Sequence, residues 1–246
     1  MDDSDTSGGV RDVVLEARGV TVGYGSIPVV QALDLQVRRG EVVALLGING
    51  AGKSTTVRAL AGELPLQSGE VWFKGEPTTA PLHRRARAGL RLITEERSTF
   101  MGLSTADNLR LGGQARSRCL ELFPELEPLL SRRAGLLSGG EQQMLTLARA
   151  LAADPIVLLA DELSLGLAPL IVERLLEAVR AAADAGTGVL LVEQQVRNAL
   201  EVADRAYILS GGTIALEGEA ADLRGRIGEI ERTYLAVAEI AEGHPA

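Results

Sequence analysis

One stretch of the chain constrains the fold more than any other, because an apolar run leads through a glycine-rich loop into a helix-forming segment. The apolar run is EVVALL (41–46), the loop is GINGAGKST (47–55), and STTVRALAG (54–62) follows. A short continuous apolar run is typical of a strand buried on both faces. Glycines let a loop curl so that successive N–H groups point at one anion. The stretch therefore predicts a phosphate-binding loop between a core strand and a helix that ends at Gly62.

The loop matches the pattern G-x-x-x-x-G-K-[ST] with Gly47, Gly52, Lys53 and Ser54. We expect Lys53 to reach the β- and γ-phosphates of a nucleotide and Ser54 to ligate Mg²⁺. A chance glycine loop is the alternative, but the strand before it and the helix after it are the context that the pattern requires. The predicted nucleotide-binding residues of this loop are Gly47, Asn49, Gly50, Ala51, Gly52, Lys53, Ser54 and Thr55.

Two neighbouring acids follow a second buried run, IVLLADE (156–162). A carboxylate at the end of a core strand, here Asp161, is a typical ligand for the Mg²⁺ of a bound nucleotide. Glu162 lies one residue further and should project in another direction, where it can accept a proton from an attacking water. The alternative is a pair of acids that merely starts a helix.

The segment LLSGGEQQ (136–143) indicates a second anion site. Ser138, Gly139, Gly140 and Glu141 lie at the start of a predicted helix whose buried stripe is Met144, Leu147 and Leu151. The N–H groups at a helix start favour anions, although an ordinary capped helix has the same composition.

Together these three motifs resemble the ATP-binding cassette (ABC) family, whose signature is LSGGQ; here Glu141 replaces the last residue. The resemblance covers about residues 12–240. It implies an α/β fold of the P-loop NTPase type, with a RecA-like mixed sheet, an antiparallel β part and an inserted helical subdomain. In that family the signature of one cassette completes the ATP site of a second cassette. The resemblance therefore implies an ATPase that closes as a dimer on two ATP molecules.

Further site residues follow from the same resemblance. Tyr24 stands where the family places an aromatic ring on adenine, with a strand-end core tyrosine as the alternative. Glu95 replaces the Q-loop glutamine and remains able to ligate Mg²⁺. Gln194 replaces the switch histidine and can hydrogen-bond a γ-phosphate, but it cannot become cationic. Glu162, Gln194 and Lys53 are the predicted catalytic residues.

The segments ITEER, DELSLGLAP and LLVEQQVRNALEVADRAYIL are most similar to the ATPases of bacterial branched-chain amino acid uptake systems, particularly the second ATPase subunit. Importers of urea and short-chain amides use similar ATPases. Leu163 replaces a usual proline, and Thr94-Glu95-Glu96-Arg97 replaces a usual Pro-Glu-Gly-Arg. The resemblance implies a second ATPase subunit, permease subunits and, indirectly, a solute-binding protein as partners.

Composition limits the possible functions. The net charge of −8 argues against general nucleic-acid binding, and the basic run HRRAR (83–87) is interpreted as a solvated helix face. One cysteine excludes an internal disulfide, and neither a signal-peptide pattern nor a long apolar run is present. We expect a cytoplasmic protein on the inner face of the cell membrane. A soluble non-transport ABC ATPase and a small-molecule P-loop kinase are the alternatives, and the kinase would have no use for the signature.

The expected organisation is a disordered tail at 1–10, a single ABC ATPase domain at 11–241 and a short tail at 242–246. A helical subdomain is expected at about 98–153. Further strands are predicted at 12–24, 29–37, 69–75, 89–94 and 188–194. An amphipathic helix is predicted at 171–186, with Ile171, Leu175, Ala178 and Ala182 as its apolar stripe. A hairpin is predicted at 205–218.

Overall fold

The structure is a computed structural model that describes residues 12–96, 98–111, 113, 116–230, 232 and 234 of the chain. The predicted tails at 1–10 and 242–246 lie outside the described residues. The main sheet has six strands in the order β10-β9-β3-β8-β7-β6. Its strands are β3 (Val42–Leu46), β6 (Leu90–Ile93), β7 (Val157–Asp161), β8 (Gly188–Glu193), β9 (Arg205–Ser210) and β10 (Thr213–Glu219). Only β10 runs antiparallel to its neighbour.

A second sheet is antiparallel and has the order β2-β1-β4-β5. Its strands are β1 (Val13–Tyr24), β2 (Ile27–Arg38), β4 (Ser68–Phe73) and β5 (Glu76–Pro77). Together the two sheets confirm the predicted α/β class with a mixed core sheet and an antiparallel part.

Eight α-helices are described: α1 (Lys53–Ala61), α2 (Leu82–Arg87), α3 (Thr105–Arg110), α4 (Arg116–Leu122), α5 (Gly139–Leu151), α6 (Pro169–Asp184), α7 (Val196–Val202) and α8 (Ala220–Arg224). Two 3₁₀ turns, Pro124–Leu129 and Ala134–Leu136, lie between α4 and α5. The described residues from 98 to 153 thus contain α3, α4, both 3₁₀ turns and α5, and their one β-type contact is the bridge between Ser104 and Arg133.

The six-stranded sheet is covered on both faces because its central strands are apolar on both sides. Val43 and Leu45 of β3 pack with the antiparallel sheet and with α1. Val42, Ala44 and Leu46 face the other way and pack with α5, α6 and α7. All five side chains are fully buried, which fixes β3 in the centre of the sheet and so fixes where the loop after it begins.

Helix α6 begins two residues earlier than the sequence pattern predicts. Pro169 occupies the first turn, where a missing N–H costs nothing and the fixed φ suits a helix. Of the predicted stripe, Leu175 and Ala178 are buried, but Ile171 and Ala182 are only partly buried. The stripe is centred instead on Val172, Leu175, Leu176, Val179 and Ala183, because α6 packs on the sheet as well as on α5.

The interpretation of the basic run at 83–87 as a solvated face is wrong for one residue. Arg85 is 4% exposed, and its guanidinium donates to the carbonyls of Leu60, Thr78 and Ala80. Leu60 lies in the last turn of α1, where helix carbonyls lack partners within the helix. Arg85 therefore caps the helix that follows the phosphate loop, and this role explains its burial.

Candidate nucleotide site

The loop between β3 and α1 has the backbone that the motif predicts. Gly50 and Gly52 have φ of 80° and 105°, a region that disfavours side chains. A Cβ on Gly47 would lie 2.6 Å from the carbonyl oxygen of Leu209, so only glycine fits there. No side chain caps the start of α1 among the described residues, and its first amides therefore remain available to a ligand.

Lys53 lies under this loop rather than in solvent. Its side chain is 4% exposed, and Nζ donates to the carbonyl oxygens of Gly47 at 2.9 Å and Ile48 at 3.2 Å. Nζ also lies 3.4 Å from Oε1 of Glu162. The lysine is thus held at the mouth of the loop by two carbonyls and one carboxylate, and it lines the same cavity as the loop amides.

Asp161 ends β7, close enough to this lysine for its charge to act on the carboxyl group. Burial raises the pKa of Asp161, while a hydrogen bond from Ser54 and the charge of Lys53 lower it, and the nearby Glu162 and Glu95 raise it. Oδ1 of Asp161 is buried without a hydrogen-bond partner among the described residues. A buried carboxylate oxygen without a partner is costly, so this site suits an added cation.

Glu162 follows with a different direction, as predicted. Its φ of 52° is in the left-handed region, which is uncommon for a residue with a side chain. Its amide donates to the carbonyl of Val192 at 2.9 Å, and its carboxylate points to Lys53. The backbone reversal after Asp161 therefore separates the two acids.

A cavity of about 330 Å³ opens between these groups. Its lining joins the loop to residues distant in sequence: Val29, Asn49, Gly50, Gly52, Lys53, Ser54, Thr55, Glu95, Glu162 and Leu165. The structure thus brings together most of the predicted loop residues with Glu95 and Glu162. Sequence reasoning missed Val29 and Leu165, which carry no chemical signal in their residue type.

Several predicted residues do not line this cavity. Tyr24, at the end of β1, is 53% exposed, so the alternative of a buried core tyrosine is wrong. Gln194 is exposed at the end of β8. Gly47 and Ala51 belong to the loop but do not line the cavity, and both are buried.

The signature segment also lies apart from the cavity, at the start of α5. Ser138 and Glu141 form a reciprocal capping box: the Ser138 amide donates to Oε2 of Glu141 at 2.6 Å, and the Glu141 amide donates to Oγ of Ser138 at 3.3 Å. The alternative of a capped helix is therefore correct as local structure. The stripe Met144, Leu147 and Leu151 is buried, as predicted.

The capping box changes the anion site that the sequence suggested. Among the described residues, the capping box uses the amides of Ser138 and Glu141. The first-turn amides of Gly139 and Gly140 are therefore the donors that remain for an anion. Gly140 also has a packing role, since a Cβ there would lie 2.9 Å from Cγ2 of Ile171.

Sequence reasoning overlooked Glu193, the last residue of β8. It is 2% exposed and accepts hydrogen bonds from Ser164, from the amide to Oε1 at 3.1 Å and from Oγ to Oε2 at 2.5 Å. Burial raises the pKa of Glu193 to about 7, although the hydrogen bonds from Ser164 oppose this and the nearby Glu162 adds to it. An acid directly after the apolar run GVLLV is the sequence signal that marks it.

The fold and the loop define a nucleotide-binding α/β protein, and comparison with known proteins gives its family. The sequence profile described as ABC transporter matches residues 30–164, more than half of the chain. The chain therefore belongs to the ABC transporter family, as an ATP-hydrolysing subunit. In the part of the chain that the structure describes, no helix has the length and apolar character needed to span a bilayer.

Individual relatives agree with this family. The chain is 39% identical to the high-affinity branched-chain amino acid transport ATP-binding protein BraG of Pseudomonas aeruginosa, over 83% of this chain and 92% of that protein. It is 36% identical to the lipopolysaccharide export system ATP-binding protein LptB of Escherichia coli K12, over 90% and 96%. A solved ATP-binding subunit of an ABC transporter superposes with a TM-score of 0.77 at 28% identity, covering 92% of this chain and 99% of that one.

Proposed function

We propose that this chain binds and hydrolyses MgATP to drive a bacterial importer of branched-chain amino acids. The 39% identity to BraG over most of both chains supports this substrate class. LptB, named for lipopolysaccharide export, is 36% identical, so overall identity alone separates the two poorly. The replacements at Glu95 and Gln194, which resemble those of branched-chain amino acid ATPases, favour import.

The loop before α1 is proposed to hold the phosphates. Its backbone amides and the positive end of α1 would bind them, and Lys53 would extend to the β- and γ-phosphates. Lys53 now contacts Glu162 at 3.4 Å. An incoming phosphate would therefore compete with Glu162 for the ammonium group, which would free the carboxylate for its own role. The full proposed set is Gly47, Asn49, Gly50, Ala51, Gly52, Lys53, Ser54 and Thr55.

The residues beside this loop fit a magnesium ion. Ser54, Asp161 and Glu95 offer only oxygen ligands, which Mg²⁺ prefers. Because Oδ1 of Asp161 is buried without a hydrogen-bond partner among the described residues, a bound cation would compensate for its burial. The described residues contain no cluster of three or more His, Cys, Asp or Glu side chains suited to a metal. Mg²⁺ usually needs only one or two carboxylates beside phosphate oxygens and waters. When bound, it would neutralise charge on the phosphates.

Glu162 is proposed as the general base that takes a proton from the attacking water. It lines the cavity, and its carboxylate is held at the mouth of the loop by Lys53. Gln194 is proposed to donate a hydrogen bond to the γ-phosphate from the end of β8. Because phosphoryl transfer depends mainly on positioning and charge stabilisation, both roles require fixed side-chain directions.

We propose that the site is completed by a second cassette. The signature residues Ser138, Gly139, Gly140 and Glu141 do not line the cavity of their own chain, which agrees with a role at a neighbour's nucleotide. Tyr24, exposed at the end of β1, is proposed to stack on adenine. The second cassette is either another copy of this chain or a related ATPase subunit.

The proposed organisation is one ABC ATPase domain at 11–241, with a helical subdomain at about 98–153 that carries the signature. An apolar surface lies on this part, formed by Phe100, Met101, Leu103 and Leu136, which are 39% to 71% exposed. Hydrogen bonds from the amides of Ala134 and Gly135 to Leu103 and Met101 hold these segments side by side. Exposed apolar side chains in one place indicate a partner surface.

We assign this surface and the nearby groove that includes Arg91, Ser98 and Arg149 to a permease subunit. That contact would place the chain on the inner face of the cell membrane, with a solute-binding protein acting indirectly from the other side. No role in nucleic-acid binding is proposed, given the net charge of −8.

Uptake by the host organism tests the substrate. Deleting the gene should abolish uptake of radiolabelled leucine, and the wild-type gene should restore it while Glu162→Gln should not. Loss of urea or acetamide uptake instead would favour the related importers. If none of the three uptakes changes, import of these solutes is contradicted, and a non-transport role or export gains support.

A further inference from the structure

The buried carboxylate of Glu193 lies at the centre of the edge of the sheet where the nucleotide cavity opens. It is the last residue of β8, which runs between β3 and β7. Leu46, the β3 residue directly before the phosphate loop, pairs with Glu193, and Asp161 of β7 pairs with the preceding residue, Val192. The next residue in the chain is Gln194, so Glu193 lies between three parts of the proposed site.

Both oxygens of this carboxylate are used by a single residue. The amide and the hydroxyl of Ser164 donate to Oε1 and Oε2, and Ser164 is itself 3% exposed. A buried carboxylate that accepts a backbone amide and a hydroxyl together fixes both the position and the orientation of the donor residue. Ser164 lies two residues after Glu162, so this pair anchors the turn on which Glu162 stands.

A second contact anchors the other end of the same turn. The amide of Glu162 donates to the carbonyl of Val192, the residue before Glu193. The turn at 162–164 is therefore attached twice to the end of β8. Its first residue has a φ of 52°, a conformation that persists only where the surroundings impose it. Without the Ser164 contacts, one of the two attachments that impose this conformation is gone.

We propose that Glu193 is a positioning residue for ATP hydrolysis, which holds the turn at 162–164 against the end of β8 and so sets the direction of the Glu162 carboxylate. The inference rests on the proposed role of Glu162 as the general base. Glu193 itself does not line the nucleotide cavity, so it acts through its neighbour rather than on ATP. Through Glu193 the turn is also connected to Gln194, the residue that directly follows β8.

Two substitutions at this position separate hydrogen bonding from simple space filling. Glu193→Gln keeps an acceptor for the Ser164 amide and a donor for its hydroxyl. Glu193→Met is similar in length and fills the space, but it offers neither strong bond. A matched control is Glu41, another buried glutamate, which directly precedes β3 and is 3% exposed. Its carboxylate accepts hydrogen bonds from the Arg38 amide and, at 3.2 Å, from the guanidinium of Arg205. Glu41→Met should reduce stability without altering catalysis.

The first readout is steady-state ATP hydrolysis by the purified full chain, with ATP affinity measured separately by calorimetry. Glu193→Met should lower kcat at least tenfold while KM and the dissociation constant of ATP stay within twofold. Glu193→Gln should stay within about threefold of the wild-type kcat, and Glu41→Met should match wild type. A Met variant with normal kcat, or a Gln variant as impaired as Met, would overturn the proposal.

The second readout does not require activity. Hydrogen–deuterium exchange of the nucleotide-free chain should be at least tenfold faster in peptides covering 162–168 for Glu193→Met, but unchanged for Glu193→Gln and Glu41→Met. Unchanged exchange in the Met variant would overturn the anchoring of the turn even if the chain alone hydrolyses ATP poorly.

Glu162→Gln, assayed in parallel, distinguishes the two possible failures. If Glu162→Gln retains near-normal turnover, the base assignment is wrong, whereas the exchange result still decides whether Glu193 anchors the turn. If Glu162→Gln is inactive and Glu193→Met is normal in both readouts, the base assignment stands and the positioning role is wrong.

Discussion

At the scale of single residues, the site depends on charged side chains that are removed from water. Lys53, Asp161 and Glu193 are each at most 5% exposed, and each lies at the edge where β3, β7 and β8 end. Burying a charge is costly unless partners or a ligand compensate. Lys53 and Glu193 have partners within the chain, whereas Asp161 keeps a buried oxygen without one among the described residues. Of these three residues, Asp161 is therefore the one whose burial a ligand must compensate.

The phosphate loop before α1 predicts a specific effect of removing Lys53. Lys53→Ala should weaken ATP binding by about 10- to 100-fold, because charge-assisted hydrogen bonds contribute roughly 1.5–3 kcal/mol. Titration calorimetry with ATP measures this, and Lys74→Ala is the matched control because Lys74 is exposed and is the only other lysine. Unchanged ATP affinity in Lys53→Ala would contradict the proposed role of the loop.

The raised pKa of Glu193 predicts a pH-dependent stability. Its folded pKa of about 7 exceeds the ordinary value of 4.5, so the folded state binds the extra proton between these values. The free energy of unfolding contributed by this group is therefore fully present below pH 4.5 and is lost as the pH rises to 7. From pH 5 to pH 8, Glu193→Gln should gain roughly 2–3 kcal/mol relative to wild type.

Urea unfolding at the two pH values measures this difference. Glu41→Gln provides the comparison, as a substitution of the same type at another buried glutamate. If the stability difference between Glu193→Gln and wild type is the same at both pH values, Glu193 does not carry the proton.

At the scale of elements, the helix after the phosphate loop is supported from its C-terminal end by a residue that sequence patterns assigned to solvent. Gly62 ends α1 in the left-handed region, and Arg85 supplies a donor to the carbonyl of Leu60 in the last turn. Arg85 also occupies the space beside Gly62, where a Cβ would lie 2.8 Å from its Nε. The two residues therefore form one helix-ending arrangement with the segment at 78–80.

Removing Arg85 should destabilise the chain rather than impair ATP binding directly. Arg85→Met leaves one buried and two partly buried carbonyls without their donor, which should cost about 2–4 kcal/mol of unfolding free energy. Chemical denaturation measures the loss, with the neighbouring exposed Arg84→Met as control. Equal stability of the two variants would show that the Arg85 contacts contribute nothing.

At the scale of the whole molecule, the signature and the nucleotide cavity of one chain are separate sites. The capping box at the start of α5 is complete without a nucleotide, yet among the described residues no side chain caps the first-turn amides of Gly139 and Gly140. Leu165, between β7 and α6, and Leu170, in the first turn of α6, add apolar surface, since they are 44% and 75% exposed. These features are expected of a chain that closes against another cassette.

Light scattering on purified Glu162→Gln tests whether this chain can supply both cassettes. If the base assignment is correct, slow turnover should trap a dimer in MgATP but not in MgADP. A monomer in both nucleotides, with ATP binding confirmed by calorimetry, would contradict a homodimer and indicate a different ATPase subunit as partner.

The sequence by itself determined the elements and most of the cavity lining. The strand–loop–helix around Lys53, the acids that end β7 and the capped start of α5 follow from local rules of periodicity, backbone freedom and capping. These signals act within a few residues, so they can be read from adjacent letters. The apolar periodicity predicted the start of α6 two residues too late. The helix begins at Pro169 because proline in the first turn fixes a helix end more firmly than apolar periodicity does.

Only the tertiary structure decided which distant residues meet. Arg85 reaches the end of α1 across 25 positions, and Ser164 meets Glu193 across 29. In parallel sheets, strands separated by whole helices end side by side, so contacts at that edge depend on strand order rather than on spacing in the chain. The sequence therefore marked Lys53, Asp161 and Glu162 by motif, whereas the role of Glu193, an acid after an apolar run, became visible only through its burial and the strand order.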